Sequence, residues 1–273
     1  MKKLPKLMVF DIDGTLVGGF NTEIGDLTRE VLTELHEAGV ILGIASGRPL
    51  WQQVERHASE WGLDFQFDFL IGLNGGELKD AHTGKVDHFH YLSPDLIREV
   101  VEKMRPLNDN PLIYKEGYEL TREIDEMMGE GAKRRGTKIY EYGSEEELYD
   151  EPTAKILYRF ESVQKRMEIE KTAKTFETED YSCFSTGPKI LEFQSPLVNK
   201  GEALKVYCLE RGIDLKDTAA FGDAENDLAM LETAGTAVAL KNSHDCILAA
   251  ADYVTEYDSG EDGAARFIRD FWL

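Results

Sequence analysis

The sequence predicts an α/β protein: a doubly wound parallel sheet interrupted by a smaller α+β unit. Three observations carry that expectation. Short apolar runs alternate with helical patterns from Lys6 to Leu73, and the alternation returns after about residue 195. Between these stretches the rhythm changes to runs paired across tight turns, such as Ile113–Tyr114 and Tyr118–Leu120 around Lys115-Glu116-Gly117. Polar clusters rich in Asp, Gly and Ser follow the ends of the apolar runs, where open α/β sheets bind ligands.

Taken in order, Leu7-Met8-Val9-Phe10 is a buried-strand run that ends in Asp11 and Asp13, with Gly14 and Thr15 behind them. A charge on a buried strand is costly without a partner or a metal, so these acids point to a site at the strand's mouth. Val17 to Glu23 reads as a loop. Leu27, Val31, Leu35 and Ala38 fall at helical spacing and Gly39 closes that helix. Val40 to Ala45 is a second strand leading into Ser46-Gly47-Arg48-Pro49, and Pro49 opens a helix expected to run from Leu50 to Trp61. Phe67 to Leu73 is a third apolar run, stopped by Asn74-Gly75-Gly76.

The rhythm changes near residue 80, at a hairpin of Glu77–Ala81 and Val86–Tyr91 followed by a helix opened by Ser93-Pro94-Asp95. Residues 121–150 read as polar and irregular; Ala154–Phe160 is a strand, Val163–Phe176 a helix, and Tyr181–Phe184 with Ile190–Phe193 a hairpin. The first rhythm then resumes. A helix over Glu202–Glu210 precedes a strand, Thr218–Phe221, that runs into Gly222-Asp223-Ala224-Glu225-Asn226-Asp227. Beyond it come a helix with Leu228, Met230 and Leu231, a strand over Thr236–Leu240, a helix over Ser243–Ala250, a short strand Tyr253–Val254 and a last helix over Ala264–Phe271. The expected partition is a core of residues 1–81 and 195–273 around an insertion of residues 82–194.

Composition narrows the function. The formal net charge of −21 repels nucleic acid and anionic membranes, so neither is an expected partner. It also repels phosphates, so a phosphate site here must be locally positive or metal-loaded. Cys183, Cys208 and Cys246 fit neither a disulfide framework nor a zinc signature and are expected as buried thiols of a cytoplasmic protein. The N-terminal apolar run is too short for a signal peptide, and no segment approaches the roughly 18 apolar residues of a membrane span. The six histidines lack metal-ligand spacing.

Four clusters converge on one edge of a parallel sheet: residues 11–15, 46–49, 199–201 and 222–227. Asp11, Asp13, Asp223 and Asp227 cannot all stay ionised at close range without a cation, and an all-oxygen donor set suits Mg²⁺. Ser46, Lys200 and helix-opening amides suit an anion such as phosphate. The competing readings are an acidic helix start for Asp223 and Asp227, a solvated Lys200 and a capping Ser46. Asn226, Arg48 and Asn74 are as readily structural as functional.

With these clusters in order, the sequence resembles the haloacid dehalogenase-like superfamily, specifically its Cof-type phosphatases. The likeness rests on DIDGT at 11–15, Ser46, Lys200 and GDAEND at 222–227, with the insertion between the second and third motifs, and it spans nearly the whole chain. It implies a Mg²⁺-dependent phosphatase with a capped core, acting on small phosphorylated metabolites, sugar phosphates first. By that resemblance Asp11 is the nucleophile that forms an aspartyl-phosphate, and Asp13 the general acid/base. Asp11, the Asp13 backbone carbonyl and Asp223 are metal ligands, with Asp227 often acting through water. Lys200 neutralises phosphate and restrains Asp11, and Ser46, Gly47 and Asn226 contact substrate. Lys115, Arg122, Lys133, Arg134 and Arg135 are cationic candidates for reading the substrate in the insertion. A sugar phosphomutase and a silent metabolite-binding module are the alternatives, and a monomer or homodimer is expected.

Overall fold

The computed structural model describes residues 3–18, 23–51 and 54–273, without the side chains of Arg134 and Arg135. Parts of the expected loop at Val17–Glu23 and of the expected helix at Leu50–Trp61 therefore lie outside the described residues. The chain divides into two compact units, Met1–His88 with Asn199–Leu273, and Phe89–Val198.

The first unit opens with β1 (Leu7–Asp11), α1 (Asp26–Glu37), β2 (Ile41–Ala45), α2 (His57–Glu60) and β3 (Phe69–Gly72). Helix α1 buries Val31, Leu32 and Leu35 on one face, as its spacing dictates. The expected helix from Leu50 is cut to a 3₁₀ turn at Val54–Arg56 followed by the single turn α2. Ahead of it Leu50 lies in a turn, and its N–H donates to Glu77 Oε2 at 2.9 Å. Strands β4 (Glu77–Asp80) and β5 (Val86–His88) fold back antiparallel onto β3, which carries this unit past residue 81 to His88.

In the second unit, α3 (Pro94–Met104) starts at Ser93, whose side chain caps the Leu96 N–H. Next come β6 (Pro111–Lys115), β7 (Tyr118–Thr121), α4 (Glu126–Arg135), β8 (Lys138–Glu141), β9 (Lys155–Arg159), α5 (Val163–Ala173), β10 (Ser182–Gly187) and β11 (Ile190–Gln194). They build a six-stranded sheet in the order β10-β11-β9-β6-β7-β8, antiparallel except for β7 with β8. Ile97, Val101 and Met104 of α3 and Ile169 of α5 join Ile113, Ile156, Tyr158 and Phe193 in its core. Residues 121–150 are more regular than their composition suggests. Helix α4 is defined by its ends, with Asp125 capping the Met128 N–H and a left-handed Gly136 closing it, and β8 is held by its pairing with β7.

The chain then returns to the first unit as α6 (Lys200–Arg211), β12 (Thr218–Gly222), α7 (Leu228–Thr233), β13 (Thr236–Ala239), α8 (Asp245–Ala250), β14 (Tyr253–Val254) and α9 (Gly263–Phe271). Its sheet has the order β14-β13-β12-β1-β2-β3-β4-β5, parallel from β14 to β3. Strand β1 is buried along its length, which explains its unbroken apolar run. Strand order reverses at β1, with β2 on one side and β12 on the other, so the carboxyl ends of these three strands form the crevice where such sheets bind ligands. Cys183 and Cys208 are buried, but Cys246, near the start of the short helix α8, is exposed, contrary to expectation. Among the described residues no helix is long and apolar enough to cross a membrane.

Phe221 on β12 stacks on Phe10 of β1 with ring centroids 4.9 Å apart and meets Phe267 and Trp272 edge-on. Phe221→Ala should therefore destabilise the first unit by about 3–5 kcal/mol, read as a lower denaturation midpoint for that unit.

Candidate active site

Asp11 is the last residue of β1, and Asp223 follows β12 directly. Between them the backbone must turn within a narrow space. Gly14 has φ +96°, and a Cβ there would lie 2.3 Å from Asp223 Oδ2, so the turn excludes every larger residue. Thr15 then donates its hydroxyl to Asp223 Oδ1 at 3.0 Å, and Asn242 Nδ2 donates to the Gly14 carbonyl at 2.8 Å.

Lys200 opens α6 and is fully buried. Its Nζ donates to Asp11 Oδ1 at 2.5 Å and Asp227 Oδ1 at 2.6 Å. The second Asp227 oxygen accepts the N–H groups of Asp223 at 3.0 Å and Ala224 at 3.1 Å, which fixes the loop after β12. Close packing of α6 on α7 brings lysine and aspartate together: a Cβ at Gly201 would lie 2.2 Å from the Ala229 carbonyl oxygen.

Electrostatics follow from this burial. Burial pushes the Asp11 carboxyl well up, Asp227 adds to the rise, and Lys200 opposes it. Burial likewise raises Asp223 to about 6, with Asp227 adding and the Thr15 hydroxyl opposing. For Lys200, burial works against the charge, but the two aspartates outweigh it and raise the ammonium's pKa. One cation thus faces more carboxylate than it can balance. Oxygens of Asp11, Asp223 and Asp227 lie within 4.8 Å of one another, the one such group among the described residues. An excess of buried carboxylate, all oxygen, fits a hard divalent cation such as Mg²⁺.

The other expected residues fall as follows. Ser46 is buried just past β2, its Oγ accepting the Arg48 N–H at 3.2 Å and its carbonyl accepting the Asn74 N–H at 2.9 Å. Gly47 lies against Asn74, whose Oδ1 would stand 3.0 Å from a Cβ there, and Asn226 Nδ2 donates to that same Oδ1 at 3.1 Å. The Asp13 carboxylate is outside the buried acidic group and pairs with Arg48 instead, Nη2 lying 2.8 Å from both oxygens. In the second unit Lys115 is buried and pairs with Asp150 and Glu151, Arg122 pairs with Asp109, and Lys133 is exposed. The side chains of Arg134 and Arg135 are outside the described set. Sequence reasoning missed the Thr15–Asp223 and Arg48–Asp13 pairings, since both join residues brought together only by the sheet edge.

An unfolded aspartate titrates near pH 4. Because folded Asp223 titrates at about 6, the folded state holds the extra proton between these values, and metal-free stability should fall as pH rises through that window. Asp223→Asn, measured in chelator, should melt above the unaltered protein at pH 7.5. The gain should be on the order of 1–3 kcal/mol and shrink toward pH 4.

Comparison with known proteins places the chain in a family. A family model described as haloacid dehalogenase-like hydrolase matches residues 8–268. M6_Spy0533 of Streptococcus pyogenes is 30% identical, with 98% of each chain covered. The 5-amino-6-(5-phospho-D-ribitylamino)uracil phosphatase YcsE of Bacillus subtilis is 28% identical, covering 98% of this chain and 96% of YcsE. Among solved structures, a haloacid dehalogenase-like hydrolase from Bacteroides thetaiotaomicron superposes with a TM-score of 0.84 at 28% identity, covering 98% of this chain and all of the other. The chain belongs to the haloacid dehalogenase-like hydrolases, among their phosphatases.

Proposed function

We propose that this phosphatase is Mg²⁺-dependent, forms an aspartyl-phosphate on Asp11, and acts in the cytoplasm on small phosphorylated metabolites, sugar phosphates first. The observation that carries the reading is the Asp11–Lys200–Asp227 group beside Asp223 at the carboxyl edge of β1 and β12. The substrate class draws on YcsE, whose name places a phosphate on a ribityl chain. Substrate choice is assigned to the inserted unit.

In the proposed reaction an Asp11 carboxylate oxygen attacks phosphorus, and the bond from phosphorus to the leaving oxygen breaks. Asp13 gives that oxygen its proton. Water then attacks the phosphoryl group and passes a proton to Asp13; the bond from phosphorus to Asp11 breaks and phosphate leaves. Lys200 fixes Asp11 against rotation and offsets phosphate charge, while Ser46 and the Gly47 amide are placed to hold phosphate oxygens, with Asn226 beside them. Asp11, the Asp13 carbonyl and Asp223 would hold Mg²⁺, with Asp227 tied mainly to Lys200 and the loop amides. When bound, the ion supplies positive charge to the transferring phosphoryl group.

The test is phosphate release from a panel of sugar, nucleotide and cofactor phosphates, with and without Mg²⁺, with Asp11→Asn beside the unaltered protein. Release should require Mg²⁺ and fall at least about a thousand-fold in the variant. Equal release by a cleanly purified Asp11→Asn would sink the mechanism.

A further inference from the structure

The Asp13–Arg48 pair has a geometry that the proposed reaction does not use. One nitrogen, Nη2, sits astride both carboxylate oxygens at 2.8 Å from each. A carboxylate held in this way offers neither oxygen freely to a leaving group. The two residues are anchored differently from Lys200. The Arg48 backbone is fixed by the Ser46 hydroxyl, which accepts its N–H at 3.2 Å, and by the Leu73 N–H, which donates to its carbonyl at 2.9 Å. Its side chain, by contrast, is 34% exposed, and that of Asp13 is 56% exposed. An exposed ion pair is held by on the order of 1 kcal/mol or less, so a stronger partner displaces it readily. Lys200, by contrast, is fully buried between two aspartates.

We propose that Arg48 is a latch on Asp13: it holds the carboxylate at rest and passes to the incoming phosphate, so that the freed carboxylate, exposed to solvent, takes a proton from water and can give it to the leaving oxygen. A phosphate dianion offers guanidinium more charge than a carboxylate does, and the match is bidentate. Arg48 thereby couples substrate occupancy to Asp13's readiness. The inference rests on the reading of Asp13 as proton donor.

The experiment compares phenyl phosphate, whose leaving group needs a proton, with p-nitrophenyl phosphate, whose leaving group needs little help. Arg48→Ala, Arg48→Lys, Asp13→Asn and the Arg48→Ala/Asp13→Asn double variant are measured alongside the unaltered protein, together with inhibition by inorganic phosphate. Arg48→Ala should raise KM for both substrates and weaken phosphate inhibition by roughly ten-fold. The ratio of the two kcat values should stay as in the unaltered protein, because Asp13 is as free in the variant as in the occupied site, and Arg48→Lys should fall between in phosphate inhibition. Asp13→Asn should strengthen phosphate inhibition of p-nitrophenyl phosphate turnover several-fold, because Arg48 no longer has to leave a carboxylate, and Arg48→Ala in that background should abolish the gain. A merely structural Arg48 would lower both kcat values together. Phosphate inhibition unchanged or weakened in Asp13→Asn, with the kcat ratio altered in that variant, would overturn the latch alone. An unchanged ratio in Asp13→Asn would overturn the proton-donor reading and the latch with it.

Discussion

A single buried ammonium organises the site. Lys200 joins three pieces of chain distant in sequence: the end of β1 through Asp11, the start of α6 through its own backbone, and the loop into α7 through Asp227. Burying three charges is expensive, and it is tolerated because each has a short, charged hydrogen bond. Removing one partner would leave an uncompensated charge, which typically costs about 3–5 kcal/mol. The arrangement is therefore stiff. Asp227 extends it by fixing the Asp223 and Ala224 amides with its second oxygen. The proposed nucleophile and the proposed metal site thus share one lysine.

The strongly acidic chain and its phosphate chemistry are compatible for the same reason. Net charge sets the long-range field, which salt screens beyond about 8–10 Å. What a phosphate meets at the crevice is local: a lysine tied to two aspartates, an arginine at the mouth and an acidic group that fits a divalent cation. Left without that cation, the crevice carries surplus carboxylate, and Asp227 adds to the rise that burial already imposes on Asp11 and Asp223.

The sequence displayed the first unit's sheet clearly because strands buried on both faces must be almost wholly apolar, and their polar residues crowd at one end. Asp11, Ser46 and Asp223 stood out for that reason, while Lys200 stood out as the start of a helix behind Asn199. Helix α4 was not, since its polar residues form no apolar stripe and its identity lies in Asp125 and Gly136 at the ends. The segment after Pro49 misled in the opposite direction. It carries helical spacing, but its described residues form only a 3₁₀ turn at Val54–Arg56 and the single turn α2. Arg48 stood beside the site in sequence without revealing its partner, because contact with Asp13 depends on the ends of β1 and β2 lying side by side.

Asp11 and Asp13 are the same residue type two positions apart, and their surroundings divide the proposed work between them. Asp11 belongs to a fully buried strand and is held by a fully buried lysine, which suits an in-line attacking group. Asp13 lies just past that strand, where its carboxylate is half in water and its partner arginine is half-exposed. A group that gives a proton to one oxygen and later takes one from water needs access and a releasable partner, not rigidity. Gly14 makes this division possible, since its left-handed turn lets the chain leave the sheet immediately while packing against Asp223. A side chain at position 14 would push Asp223 away from Asp11, and the buried and the exposed acid would lose their common centre.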